Sequence, residues 1–240
     1  MLELQHICFN ADGKEILKDI NLKINDRFVA ITGPNGSGKS TLAKIITGII
    51  TPSSGRILLD GKDITECSIT ERANMGISYA FQQPVKFKGL LVSDLLQLAS
   101  GKKTSFNEMC GLLSEVGLCA RDYIHRELND SLSGGELKRI EIAMILARST
   151  ALSVFDEPEA GIDLWSFQSL IHVFEKMYEQ TKGSILIISH QERILNIADK
   201  IIYLKAGEVA GYGSREEILP CLLDGTGGTC KVLTDKMEAK

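Results

Sequence analysis

Two neighbouring pairs in this chain have the residue types that phosphate chemistry requires. The first is Lys39-Ser40, near the end of the row Gly33-Pro34-Asn35-Gly36-Ser37-Gly38-Lys39-Ser40-Thr41. This row fits G-x-x-x-x-G-K-[ST] without a gap. Its glycines let successive backbone N–H groups turn toward phosphate oxygens, and a helix starting behind them adds a positive end. Lys39 then brings a point charge to the β- and γ-phosphates, and the Ser40 hydroxyl is a Mg²⁺ ligand. The second pair is Asp156-Glu157, in Val154-Phe155-Asp156-Glu157-Pro158. Two adjacent carboxylates can divide the labour. Asp156 would hold Mg²⁺, mostly through water, while Glu157 orients and deprotonates an attacking water. Binding and hydrolysis of a nucleoside triphosphate is the chemistry implied.

Such pairs work only if elements of the right kind hold them. The apolar run 28–31 precedes the first row and the helical spacing Leu42, Ile45, Ile46, Ile49 follows it, which predicts strand, loop and helix. Asp156 and Glu157 end the apolar run 151–155, so they fall at a strand's C-terminal end, where doubly wound sheets bind ligands. Ile185 to Ile188 and Lys200 to Leu204 read as further buried strands, joined by a helix over 192–198. Leu2 to Phe9 and Ile20 to Ile24 alternate as strands around an Asp12-Gly13 turn, and Arg56 to Leu59 adds another edge. From Leu90 the spacing becomes that of short amphipathic helices: Val92, Leu95, Leu96, Leu98, then Met109, Leu112, Leu113, Val116. The tail over 224–240, with Gly225-Thr226-Gly227-Gly228, reads as flexible.

A second phosphate clamp is written further on. Leu132-Ser133-Gly134-Gly135-Glu136 opens a helix carrying Ile140, Ala143, Met144 and Ala147 at helical spacing. A helix N-terminus behind Ser and two glycines is another anion site. One nucleotide does not need two clamps, so this one makes sense if it serves a nucleotide held by a neighbouring copy.

With these rows in view, the chain resembles ATP-binding-cassette (ABC) ATPases along about residues 2–223. The resemblance implies an α/β fold, a P-loop NTPase of ABC type over 1–240. It has a mixed central sheet, an antiparallel β lobe and an inserted helical lobe at about 85–131. The first row matches that family's Walker A and the carboxylate row its Walker B. Leu132 to Glu136 matches the signature, so Ser133, Gly134, Gly135 and Glu136 join 33–41 as nucleotide-binding residues. Ala80-Phe81-Gln82-Gln83-Pro84 is similar to the Q-loop, which makes Gln82 a sensor of Mg²⁺ and γ-phosphate. Ile188-Ser189-His190 is similar to the switch, with His190 contacting the γ-phosphate, and Ala160-Gly161-Ile162-Asp163 to the D-loop at a dimer interface. The implied cofactors are ATP and Mg²⁺, and the implied assembly is a transient, ATP-dependent, head-to-tail homodimer.

Finer rows narrow the likeness. Transporter ATPases usually read Ser-Gly-Gly-Gln and then Gln-Arg, whereas this chain reads Ser133-Gly134-Gly135-Glu136-Leu137-Lys138-Arg139. That row, the segment 76–85 with Gly89, and His190-Gln191-Glu192-Arg193-Ile194-Leu195 all resemble the SufC ATPases of SUF iron–sulfur cluster assembly, which work with SufB-like scaffolds. The row 156–163 departs from the commonest SufC pattern in its middle positions. That points to a divergent or minimal SUF-like branch and keeps open a transporter reading, with a membrane permease as partner.

Composition agrees with a globular enzyme: 240 residues, 44% apolar and 24% charged. A net charge of -4 argues against nucleic acid as the main partner. No apolar run approaches the roughly 18 residues of a membrane span. The row Met1-Leu2-Glu3-Leu4-Gln5 has neither the basic region nor the apolar core of an export signal, so a cytoplasmic protein is expected. The 6 cysteines form no C-x-x-C pair. Cys8 and Cys119 sit among apolar residues and are expected as small buried hydrophobes, with all thiols reduced.

Three expectations concern single side chains. An aromatic ring that stacks on adenine in most ABC ATPases corresponds here to Ala11; Phe9, two residues earlier, either substitutes for it or belongs to the core. Lys138 or Arg139, in the helix after the signature, is expected to pair with Glu157 in the isolated chain and hold it from the water site, with Lys138 favoured. Phe87, in the segment 84–90 beside the Q-loop, is either an exposed docking anchor for a partner or part of the helical lobe's own core.

Overall fold

The computed structural model describes residues 1–223 apart from 130, 149 and 181, with backbone only at 164 and 165. The tail expected over 224–240 lies outside the described residues. Strands β1 (Leu2–Ala11) and β2 (Lys14–Ile24) pair as a hairpin. Asp12 and Gly13 turn it with φ of 50° and 73°, the doubly positive geometry that matches a right-handed strand twist. Next come β3 (Phe28–Thr32), α1 (Lys39–Ile46), β4 (Ser54–Leu59), β5 (Lys62–Asp63), α2 (Ile69–Asn74) and β6 (Ile77–Ala80). The chain continues through β7 (Phe87–Leu91), α3 (Val92–Ser100), α4 (Phe106–Glu115), α5 (Ala120–Tyr123) and β8 (Glu127–Leu128). It then forms α6 (Gly134–Arg148), β9 (Leu152–Asp156), α7 (Leu164–Gln180), β10 (Ser184–Ile188), α8 (Glu192–Leu195), β11 (Lys200–Lys205), β12 (Glu208–Ser214) and α9 (Arg215–Leu223).

The central sheet runs β12-β11-β3-β10-β9-β6 and is parallel except for β12. A second, antiparallel sheet runs β2-β1-β4-β5. β3 and β9 are buried at every residue, because they are covered on both faces, as parallel strands are. Alternate side chains divide between two cores. Phe28, Ala30, Phe155, Ile185 and Ile187 pack with α6 and α7, while Val29, Ile31, Val154, Leu186 and Ile188 pack with α1 and the antiparallel sheet. Phe174 of α7 ties the first core together, its ring 5.0 Å from Phe155 and 6.5 Å from Phe28.

Four Ser-x-x-Glu rows start helices among the described residues; at α9 the Ser214 N–H donates to the Glu217 carboxylate at 2.8 Å, and the other three cap reciprocally. Ser68 with Glu71 opens α2, Ser105 with Glu108 opens α4, and Ser133 with Glu136 opens α6, each by reciprocal side-chain and backbone hydrogen bonds. Some expectations are corrected. The helix expected over 192–198 is only α8, because Ile197 and Ala198 make bonds three residues back and tighten the chain out of the helix. The segment 84–90, expected between structured elements, runs into strand β7, which pairs with β8 far along the chain. Cys119 is exposed rather than buried, standing before the first turn of α5, and Cys8 is half-buried. Phe9 is half-buried against the second core, opposite Leu17. Among the described residues, no helix is long and apolar enough to cross a membrane.

Arg72 is a structural post that the sequence did not announce. It is fully buried and donates to the carbonyls of Ile45 and Ile46 in the last turn of α1 and to those of Thr65 and Cys67. Those helix-end carbonyls have no partner within the helix, so the guanidinium anchors α1, and with it the loop in front, to α2. Arg72→Met should destabilise the fold by roughly 2–4 kcal/mol, a melting-point fall of about 5–10 °C by differential scanning fluorimetry.

Candidate active site

In the order β3-β10-β9, the three C-terminal ends lie side by side, with Ile31 opposite Ile188 and Ile188 opposite Asp156. They carry the loop 33–38, the switch Ser189-His190 and the pair Asp156-Glu157. Parallel sheets bind ligands at this edge.

The phosphate loop is held close against β11. Gly33 has φ of 143°, and a Cβ there would lie 1.9 Å from the Leu204 carbonyl oxygen. Gly38, with φ of 98°, stands immediately before α1. Lys39 curls back over the loop, its ammonium donating to the Gly33 and Pro34 carbonyls at 2.8 and 2.9 Å. Burial holds that ammonium below its ordinary pKa, against the pull of Glu157 and Asp156. The Ser37 hydroxyl is buried in the same loop with no hydrogen-bond partner. A loop with a cation, an orphaned hydroxyl and a helix N-terminus is suited to an anion.

Asp156 is buried, and both its oxygens are engaged. The Ser40 hydroxyl donates to Oδ1 at 2.9 Å, and the Tyr79 hydroxyl to Oδ2 at 2.6 Å. Burial first, then the bond to Asp156, pushes the Tyr79 phenol far above its usual range, so it is a permanent donor. Glu157 turns the other way. Its backbone is left-handed, with φ of 44°, and its N–H donates to Ile188 O at 3.0 Å. Gln82 Nε2 donates to Glu157 Oε2 at 2.6 Å, and His190 Nε2 lies 3.4 Å from Oε1. Burial and then Lys39 lower the His190 pKa, with Glu157 acting against them, so the ring is neutral at neutral pH. A carboxylate between an amide donor and a neutral imidazole, and reachable by water, can accept a proton from that water.

Glu159 ties the switch to this turn. Its Oε1 accepts from the Ser189 hydroxyl at 2.5 Å and from the His190 N–H at 3.3 Å. Burial raises its pKa, opposed by those two donors, and its Oε2 is buried without a partner.

The expected residues do not all meet. Residues 33–41, Gln82, Asp156, Glu157 and His190 converge, whereas Ser133 to Glu136 bond elsewhere. Glu136 accepts from the Ser133 N–H at 2.6 Å and from the Tyr123 hydroxyl, and Gly134 and Gly135 lie against Gly161 and Ser166. The pairing expected between Lys138 and Glu157 is absent. Lys138 instead bonds Glu141 Oε2 at 2.9 Å, one turn along its own helix, and the Phe81 carbonyl. Arg139 donates to Gly135 O and Gly117 O. Sequence reading missed Tyr79 and Glu159 as members of the site. Tyr79 stood within the quoted 76–85 row, and Glu159 within the row that departs from the SufC pattern, but spacing alone carried no sign of their partners.

Known proteins share the sequence pattern and the fold. A profile of the ABC transporter family matches residues 17–160. An uncharacterized ABC transporter ATP-binding protein of Methanocaldococcus jannaschii is 39% identical over 228 residues, 91% of this chain and 90% of that one. The chain belongs to the ABC family. A probable ATP-dependent transporter, ycf16, of Cyanidium caldarium is 33% identical over 232 residues, 89% of this chain and 90% of that one. Among solved structures, a dimeric bacterial ABC transporter cassette superposes with a TM-score of 0.79 at 25% identity, over 90% of this chain and 99% of that one. A dimeric post-hydrolysis state of a cassette, bound to ADP and phosphate, superposes with a TM-score of 0.78 at 26% identity, over 90% and 99%. The fold expected from the sequence is therefore the observed one, and this ABC chain is an ATP hydrolase.

Gly33→Ala tests the loop's seat against β11. The added methyl cannot fit beside the Leu204 carbonyl, so the loop must move and ATP binding should be lost. Titration with a fluorescent ATP analogue reads this directly; affinity equal to the parent's would refute the tight seat.

Proposed function

We propose that this chain hydrolyses MgATP as a head-to-tail dimer and drives iron–sulfur cluster assembly on a SufB-like scaffold. The hydrolytic mechanism rests on one observation: Glu157 is aimed between Gln82 and His190, beside the phosphate loop. In this reading Glu157 is the base that takes a proton from the attacking water, Gln82 places that water, and His190 contacts the γ-phosphate. Lys39 leaves the Gly33 and Pro34 carbonyls for the phosphates, and the backbone of Gly33 to Thr41 wraps them. Ser40 Oγ and the Asp156 carboxylate, 2.9 Å apart, are hard oxygen donors that fit Mg²⁺, with Gln82 completing the set. Bound there, Mg²⁺ would neutralise charge on the β- and γ-phosphate oxygens.

Ser133, Gly134, Gly135 and Glu136 serve the nucleotide of the second copy. The Ser133 hydroxyl, which accepts from the Glu136 N–H at 3.3 Å, would turn its proton to a phosphate oxygen of that nucleotide. Closure on ATP and reopening after its loss then make an interface switch. The SUF assignment is supported by the Glu136-Leu137-Lys138-Arg139 row and the rows around Gln82 and His190. The second reading, an ATP-binding subunit on a membrane permease, is supported by the transporter names of the relatives.

The partner's place is an apolar groove beside Gln82, lined by Phe81, Val85, Phe87, Leu98 and Met144. Phe87 is 36% exposed, so its ring is available at the surface rather than closed in the core. An exposed aromatic on an apolar rim is an interface anchor.

Three outcomes are expected. Glu157→Gln should retain MgATP binding, lower turnover by roughly 10²–10⁴-fold and accumulate a dimer on size-exclusion chromatography; parental turnover would reject the base assignment. Lys39→Ala should instead weaken ATP binding itself. Phe87→Ala should lose partner binding and partner-stimulated turnover at unchanged basal turnover, with a melting point well short of the loss caused by truncating a buried Phe, about 3–5 kcal/mol. Purification of the tagged chain from its own cells identifies the partner: a scaffold bearing the cluster supports assembly, and an integral membrane protein overturns it in favour of transport.

A further inference from the structure

Buried Lys138 and half-buried Glu141 form an ion pair in the second turn of α6, on a helix that also carries the buried Leu137, Ile140, Ile142 and Ile145. Lys138 is only 1% exposed. Replacing such a pair by apolar side chains often leaves stability unchanged or improves it, so packing alone does not call for charges here. Both charges converge on one residue of another element. The Lys138 ammonium donates to the Phe81 carbonyl, and Glu141 Oε1 accepts from the Phe81 N–H at 3.1 Å.

Phe81 is the first residue beyond β6, where the ladder with β9 ends. Its backbone groups therefore need other partners, and α6 supplies both. The next residue is Gln82, whose amide holds Glu157 at 2.6 Å. The Phe81 ring meets Tyr79 edge-on at 4.8 Å, and the Tyr79 hydroxyl holds Asp156. At its other end α6 begins with the signature, Ser133 to Glu136. One helix thus carries both the clamp for a second copy's nucleotide and the grip on the Q-loop of its own copy.

We infer that Lys138 and Glu141 are positioning residues that hold the Phe81 peptide and so set the contact of Gln82 with Glu157, passing any shift of the signature helix to the hydrolytic carboxylate of the same chain. This rests on the reading of Glu157 as base and Gln82 as its positioner. The pair acts through the Phe81 peptide.

The test is a double-mutant cycle on the full chain with MgATP. Lys138→Met should lower kcat about tenfold or more while KM for ATP stays within about twofold, because a displaced Gln82 spoils alignment and not binding. Should Lys138→Met fail to fold, the variant carrying Lys138→Met with Glu141→Leu removes both charges together and leaves neither unpaired. Either variant is then combined with Gln82→Ala. A clamp acting through Gln82 predicts no further loss of kcat in that background, whereas an independent structural effect would add in full. Full additivity, or parental kcat in folded Lys138→Met, overturns the inference. So does parental turnover in Gln82→Ala, since the route runs through that residue. Loss of turnover in Glu157→Gln together with parental kcat in Lys138→Met would sink the clamp alone and leave the hydrolytic reading standing.

Discussion

Asp156 is a carboxylate 3% exposed, at the end of a strand buried along its whole length. A carboxylate taken from water needs a hydrogen bond at each oxygen, or the site loses several kcal/mol. Ser40 and Tyr79 supply them. Ser40 belongs to the first turn of α1 and Tyr79 to β6, so a single acid sets the phosphate loop and the Q-loop strand against the end of β9. The left-handed turn that follows makes Glu157 face away from Asp156 and into the space between Gln82 and His190. Two neighbouring carboxylates can therefore keep separate partners without meeting each other.

The same device recurs around the site. Glu159 holds the Ser189 hydroxyl and the His190 N–H, and Glu141 with Lys138 holds both sides of the Phe81 peptide. In each case a strand of the central sheet has just ended and its backbone has lost ladder partners. An acid from an adjacent turn or helix takes over. These acids are charged or polar groups in mostly apolar surroundings, which makes each contact strong and directional and leaves little slack in the loops they hold. A site that responds to a single phosphate group needs that stiffness, since a loose loop would average the signal away.

The groove beside Gln82 lies on the far side of the same loop. Its lining residue Phe81 is the one held by α6, so the wall that faces outward and the peptide that steers Gln82 are parts of one short segment. α1 and α2 are tied together differently, by the Arg72 guanidinium at the end of α1, which leaves the loop in front of α1 anchored from behind.

Much of this was legible in the residues. The row 33–41, the adjacent carboxylates, the Ser-Gly-Gly row and the His190 row are local patterns whose chemistry depends on residue type and spacing, and the alternation of apolar positions placed most strands and helices to within a few residues. What remained hidden were partners distant in sequence. Nothing near Tyr79 points to Asp156, nothing near Arg72 points to the end of α1, and β7 has no strand until it meets β8. The Lys138 side chain shows the limit most clearly. Its type and helix suggested a charge partner, but Glu157 and Glu141 are both acids, and the sequence does not weigh them. The fold does: Glu141 lies one turn along the same helix and Phe81 across from both, while Glu157 is already engaged by Gln82 and His190. Residue types determined which chemistry this chain can do; only the packing of strand ends against α6 decided which charge holds which.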